Sequence, residues 1–192
     1  MHTRILSILT LAVSLFATTA LKASDSDTSA YFKKGDILLE FSGSFTHATA
    51  NGDGESASVN FVYADIGASY FLTDHISTGA DTFWLYVPES GDVDGSALAV
   101  GLEWNVRYHF NVSRYFYPYV GVHAGYAFGR IEGDDDSESD HLTTLGAHAG
   151  FVIPVNDNVF FDVQLKYTDY DIPVADFDLG TTQLLLGLKI KL

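Results

Sequence analysis

Nine charged side chains sit inside apolar stretches of the chain instead of between them. Five are carboxylates, Glu40, Asp65, Asp81, Glu103 and Asp162, and four are cations, Arg107, Lys166, Lys189 and Lys191. Each falls on the polar side of a segment in which large apolar residues alternate with small or polar ones. Charges placed in this way must meet one another, because an unpaired ion held away from water is costly. Two uses are open to such a set: a salt-bridged filling, or a narrow path for ions. The filling is the expectation. If the last two segments pair symmetrically about their loop, Asp162 lies opposite Lys189, and closure onto the first segment brings Glu40 alongside.

His123 and His148 form a second group. Folding their two segments about the intervening loop sets them directly opposite, both on the polar side. Two imidazoles can share a proton or bind a metal, but a metal site needs a further ligand, and none is locally evident. No metal, cofactor or catalytic residue is assigned. The acidic stretches 51–55, 92–95 and 134–136 resemble fragments of calcium loops, yet none completes the twelve-residue pattern with its terminal Glu. They are expected to be a solvated face with weak divalent-cation binding at most.

Residues 97–110 show what positions these groups. Leu98, Val100, Leu102, Trp104, Val106, Tyr108 and Phe110 alternate with Ala97, Ala99, Gly101, Glu103, Asn105, Arg107 and His109. A period of two is that of a β-strand. The run is fourteen residues long, well beyond the mean strand of about 5–6. Seven more segments carry the pattern, at about residues 36–46, 59–71, 76–86, 116–130, 141–153, 158–170 and 181–192. In the second of the eight, Phe61 and Tyr63 share a face with Asp65, so polarity alone does not fix its sense.

The connections alternate long and short. The long ones, 47–58, 87–95, 131–140 and 171–180, collect acidic residues; the short ones lie near 73–75, 111–114 and 154–157. Aromatics gather by the short connections: Tyr70, Phe71, Tyr108, Phe110, Tyr115, Phe116, Tyr117, Phe160 and Phe161. They read as an interfacial girdle. A soluble β-protein would turn its apolar face into a core, whereas a membrane barrel turns it to lipid and its polar face to the lumen. The reading is all-β: an eight-stranded antiparallel up-and-down transmembrane β-barrel, whose interior side chains just fill.

Residues 1–23 read as a signal peptide, with His2 and Arg4 before an apolar run over 5–17 and small residues for cleavage after Ala20 or Ala23. A short N-terminal segment, 24–34, then precedes the barrel, 35–192. Without residues 1–23 the chain carries 8 basic and 25 acidic residues, a net charge of −17 against −15 for the whole. Such a balance argues against a nucleic-acid partner. There is no cysteine, hence no disulfide.

Two stretches, 67–79 (GASYFLTDHISTG) and 117–126 (YPYVGVHAGY), resemble the small eight-stranded outer-membrane barrels, the group around the OmpA barrel, OmpX, OmpW and the opacity proteins. The ending GLKIKL is similar to the C-terminal signal read by the barrel assembly machinery, although it closes on Leu192 instead of an aromatic and has Leu185 where that signal is polar. The resemblance covers about residues 31–192. It implies a bacterial outer-membrane location, outer-membrane lipid and lipopolysaccharide as surroundings, the assembly machinery as a partner in biogenesis, and a monomer. Enzymes of this architecture include deacylases with an outward His-x-Ser pair, which no strand here carries, and proteases with an Asp/His constellation that has no clear counterpart. The expected role is non-enzymatic, structural or surface-interacting through the acidic loops. A narrow porin-like channel is the alternative, and a soluble lipocalin-type carrier with its aliphatic face inward is the second.

Overall fold

The computed structural model describes residues 31–52, 55–88, 96–132, 137–172 and 177–192. They form eight strands: β1 (Ile37–Gly52), β2 (Glu55–Phe71), β3 (Ile76–Val87), β4 (Ser96–His109), β5 (Tyr117–Glu132), β6 (Ser137–Pro154), β7 (Val159–Ile172) and β8 (Phe177–Lys191). Each pairs antiparallel with the next, and β1 pairs with β8, which closes a barrel. The closing seam runs from Leu38↔Lys191 to Gly43↔Leu186, six residue pairs.

The alternating pattern decides which way the wall faces. Along β4, Leu102 and Trp104 are each 60% exposed, while Glu103 between them is 1% exposed. The same holds around the wall: Phe45, Val122, Leu145, Leu165 and Leu184 are exposed, and Glu40, His123, His148, Lys166 and Lys189 are buried. The apolar stripe therefore faces outward and the polar one inward, opposite to a water-soluble carrier. β2, whose sense polarity left open, turns Tyr63 inward and Ile66 and Tyr70 outward.

Three expectations are corrected. The strands run on into the segments read as long loops. β1 and β2 pair as far as Gly52↔Glu55, and β5 and β6 as far as Glu132↔Ser137. A hairpin ladder is made of backbone hydrogen bonds, so it continues past the apolar band where Ser, Gly and Asp replace aliphatic residues. The side chains of the acidic stretches 51–55, 92–95 and 134–136, like the whole of residues 1–30, lie outside the described residues. The aromatic girdle is also split. Tyr70, Tyr108, Tyr115, Phe116 and Phe161 are exposed on the outside, but Phe71, Tyr117 and Phe160 are fully buried in the lumen. Strand parity separates them, as Tyr70 and Phe71 are neighbours on opposite faces.

The third concerns register. Asp162 pairs with Gly187 and Lys189 with Phe160, and His123 pairs with Gly146 and His148 with Gly121. Neither the Asp–Lys nor the His–His pair is directly opposite. Each meets diagonally, because a glycine takes the facing position. The pattern repeats through the lumen: Asp81 and Glu40 flank Gly67, Glu103 faces Gly125, Tyr119 faces Gly150 and Phe83 faces Gly101. A Cβ on Gly146 would stand 2.6 Å from the His123 ring, and one on Gly150 would stand 2.6 Å from the Tyr119 hydroxyl. Eight strands enclose little more space than the interior side chains fill, and at these positions a glycine makes room for a bulky neighbour.

If the wall faces hydrocarbon, Leu102→Arg, at mid-strand on the outer face, should cost about 2–4 kcal/mol. Urea unfolding from lipid vesicles measures it, and an unchanged midpoint would contradict the orientation.

Candidate functional site

Three layers fill the lumen. At the short-turn end lies an apolar floor of Phe32, Leu38, Phe71, Tyr117, Tyr119, Val152 and Phe160. Part of this floor comes from outside the strands. Residues 31–36 fold under the barrel, where Phe32 stacks on Phe71 at 4.8 Å and touches Phe160 at 5.0 Å, ring centre to ring centre. The fold-back depends on Gly35, whose φ of +97° suits glycine; its amide donates to the Phe71 carbonyl at 2.9 Å. The Lys34 amide donates to Asp74 at 2.8 Å. The Tyr31 hydroxyl donates to the Asn156 carbonyl at 3.2 Å, and its pKa is raised by desolvation and then by Asp157. Toward the long-loop end a second apolar layer joins Tyr63, Phe83, Ala127 and Leu185, with Leu85 and Leu142 against it. Leu185, the departure from the terminal signal, is thus part of the packing.

Between the layers lies the charged network. Glu40 accepts from Arg107 Nη1 at 2.5 and 2.6 Å, from Lys189 Nζ at 3.0 Å and from the Ser69 hydroxyl at 2.5 Å. Lys189 also stands 3.4 Å from Asp162 and lies over the Tyr119 ring at 4.9 Å. The Tyr119 hydroxyl donates into the pair formed by Asp162, at 3.0 Å, and Gln164 Oε1, at 2.8 Å. Arg107 reaches on to Asp81 at 3.9 Å, and Asp81 accepts from the Asn105 amide. Lys166 pairs with Glu103 and donates to the Tyr63 hydroxyl at 2.7 Å. Asp65 accepts from the Ser42 hydroxyl at 2.8 Å and is only partly buried. Lys191 departs from the expected set: it sits at the floor's rim and pairs with Asp36 at 2.6 Å, outside the network.

The histidines are absorbed into the same chain of donors. Arg107 Nε donates to His148 Nε2 at 3.2 Å, so the proton of His148 is on Nδ1. That Nδ1 is 3.3 Å from His123 Nδ1, which must then accept, leaving His123 Nε2–H to donate to Thr168 Oγ1 at 3.1 Å. One tautomer assignment satisfies all four ring nitrogens, so neither imidazole keeps a lone pair for a metal. Among the described residues no group of three or more His, Cys, Asp or Glu is placed to hold one.

What the network leaves open is small. The cavity bounded by Glu40, Asp65, Asp81, Glu103, Arg107 and Lys189 is about 20 Å³, enough for roughly one water. Tyr63, Tyr119, Gln164, Asn105, His109 and the facing glycines complete the site, and none stands out from strand alternation. Their signal in the sequence is the inward glycine on one strand set against a bulky inward residue on the next.

The profile of a family described as outer membrane protein beta-barrel domain matches residues 8–191. No curated protein matches the chain. Among solved structures, the barrel is similar to Ail, the attachment invasion locus protein of Yersinia pestis, at a TM-score of 0.57 and 15% identity over 83% of this chain and 99% of that one. A second structure of Ail, in complex with the heparin analogue sucrose octasulfate, scores 0.56 at 16% identity over 83% and 99%. Neisserial surface protein A scores 0.63 at 14% identity over 83% and 98%. At these identities the likeness is one of fold.

Lys189→Met removes the cation shared by Glu40 and Asp162, leaving Asp162 without its cation and Glu40 with Arg107 alone. The expected loss is about 3–5 kcal/mol. Combining it with Asp162→Asn, which neutralises the carboxylate left alone, should recover part of it. Urea midpoints of wild type, the two single variants and the double variant in vesicles measure the coupling, and additive losses would mean that the pair is not a unit.

Proposed function

The chain belongs to the outer membrane protein beta-barrel domain family, and from that premise we propose that it is a sealed, non-enzymatic barrel of the bacterial outer membrane that works through its surface. One observation carries the reading: the lumen is filled by its own counter-ions between two apolar layers, with a cavity of about 20 Å³ in the charged layer. A conduit for solutes needs a continuous wet path, and Phe32, Phe71, Phe83, Phe160 and Leu185, each at most 1% exposed, stand across it. Catalysis needs a nucleophile or base that substrate can reach, and here the carboxylates Glu40, Glu103 and Asp162 are paired with buried cations while His123 and His148 are taken up in one donor chain.

The long connections would carry the interaction, facing outward from the cell as they do in outer-membrane barrels. They hold Asp53, Glu55, Glu89, Asp92, Asp94, Asp134, Asp135 and Asp136. Ail, by contrast, was solved with a sulfated polyanion. A surface this acidic would repel such a ligand and favour a cationic partner, or divalent cations bridging to phosphates. Residues 1–23 are proposed to be removed on export, and the assembly machinery to insert the barrel as a monomer.

Planar-bilayer recording of the purified protein separates this reading from the porin-like one. The expected trace is silent at about 100 mV in molar salt, where the surrounding charges are screened. Steady ohmic openings would overturn the sealed barrel.

A further inference from the structure

Among the described residues the lumen network holds five carboxylates, Glu40, Asp65, Asp81, Glu103 and Asp162, against three cations, Arg107, Lys166 and Lys189. Two negative charges are in excess. No other Lys or Arg makes up the difference: each one after residue 30 is described, and the other five are exposed or, like Lys191, paired at the rim. His123 and His148 are neutral in the tautomers that the network requires, and His109 lies in the apolar floor against Phe32 and Phe71. Excess charge held between two apolar layers is costly, so it calls for a counter-ion.

The excess falls in one place. Arg107 is taken by Glu40, Lys166 by Glu103, and Lys189 by Glu40 and Asp162. Asp81 has only the far arm of Arg107, at 3.9 Å, and Asp65 pairs with none of the three, accepting instead from the Ser42 hydroxyl at 2.8 Å. Asp81 is in register with Gly67, two residues along β2 from Asp65, so the two carboxylates share one side of the lumen. Both line the cavity of about 20 Å³, and so do Glu103 and Asn105. Glu103 Oε1 and Asn105 Oδ1 are buried without a hydrogen-bond donor, in residues at most 2% exposed. Asp65 and Asp81 are also the least enclosed of the five carboxylates, which gives an ion a way in.

We propose that this cavity is a calcium site, in which one ion is held by the carboxylates of Asp65 and Asp81 beside the bare oxygens of Asn105 and Glu103. The proposal rests on the sealed lumen argued above and does not involve the acidic connections. The donors are all oxygen, which selects a hard cation, and an excess of two charges matches a divalent one. The cavity has room for roughly one water, whereas magnesium keeps several of its own; calcium sheds them for carboxylate and amide oxygens. Two carboxylates are fewer than the three-ligand clusters that are absent here, so the remaining positions fall to neutral oxygens. Ser42 ties Asp65 to β1 and Asn105 ties Asp81 to β4, so the ion joins four neighbouring strands.

The test uses the full barrel, refolded into vesicles with terbium in place of calcium, or with calcium, or with chelator. Wild type, Asp65→Asn, Asp81→Asn and a connection control with Asp134, Asp135 and Asp136 all changed to Asn are compared, each once heat-modifiable gel migration shows a closed barrel. Terbium emission lifetimes in water and heavy water count the waters on the bound ion. Wild type and the connection control should each hold a terbium ion with about one water or none, as the size of the cavity requires. Calcium should displace it and magnesium should compete poorly. Asp65→Asn and Asp81→Asn should each weaken binding about tenfold or more, through the loss of one charged ligand. In chelator Asp65→Asn should have a higher urea midpoint than wild type, because less charge is left over; calcium should raise the wild-type midpoint and leave that of Asp65→Asn unchanged. Absence of binding, a bound ion that carries several waters, binding lost in the connection control but kept in Asp65→Asn, or an Asp65→Asn barrel no more stable than wild type in chelator would each overturn the site. A barrel that conducts in planar bilayers sinks the sealed lumen itself; a silent barrel that ignores calcium sinks this site alone.

Discussion

A peptide group in hydrocarbon has no water to bond to, so each one left unpaired costs several kcal/mol. An open sheet would leave two rows of them; joining β1 to β8 leaves none along the seam from Leu38↔Lys191 to Gly43↔Leu186. Most other features of the molecule follow from that closure. A closed sheet of eight strands has an inside and an outside, and a two-residue period assigns every side chain to one of them. The outside must be apolar over the membrane's thickness. The inside is narrow and must be filled.

The chain meets the second demand with polar material. Aliphatic side chains could fill the lumen, yet its middle layer is built from Glu40, Glu103, Asp162, Arg107, Lys166 and Lys189, all at most 6% exposed. The ions are arranged as shared pairs, with Arg107 between Glu40 and Asp81 and Lys189 between Glu40 and Asp162. Buried pairs contribute little net stability against an apolar alternative, but removing one member is severe. Facing glycines make the room, so each cross-strand contact fixes the position of the next. The apolar layers above and below keep water from the ions, and the fold-back of residues 31–36 completes the lower one.

Strand number, the faces of every strand but β2 and the inward position of the charged residues other than Lys191 are legible in the sequence, because parity along a strand is a local property. The pairing partners are not. Asp162 and Lys189 meet, but two residues out of the symmetric register, because Gly187 takes the place opposite Asp162. Register is set by the whole closed ladder and its turns. Phe71, Tyr117 and Phe160 are indistinguishable by type from girdle aromatics such as Tyr70 and Phe161, and only their parity separates floor from girdle. The contribution of Tyr31 and Phe32 is invisible to strand periodicity, since these residues precede the first strand. The extension of β5 and β6 to Glu132↔Ser137 was hidden by polar composition.

The central claim is that the aliphatic face of the wall looks into lipid, and the two tryptophans of the chain report on it directly. Trp84 and Trp104 are 41% and 60% exposed, and both are outward. The decisive measurement is their fluorescence in vesicles, quenched either by brominated acyl chains or by aqueous iodide. The structure predicts strong quenching by the brominated lipid and little by iodide. The reverse result, iodide quenching with no effect of bromine in the acyl chains, would place this face in water and contradict the membrane barrel.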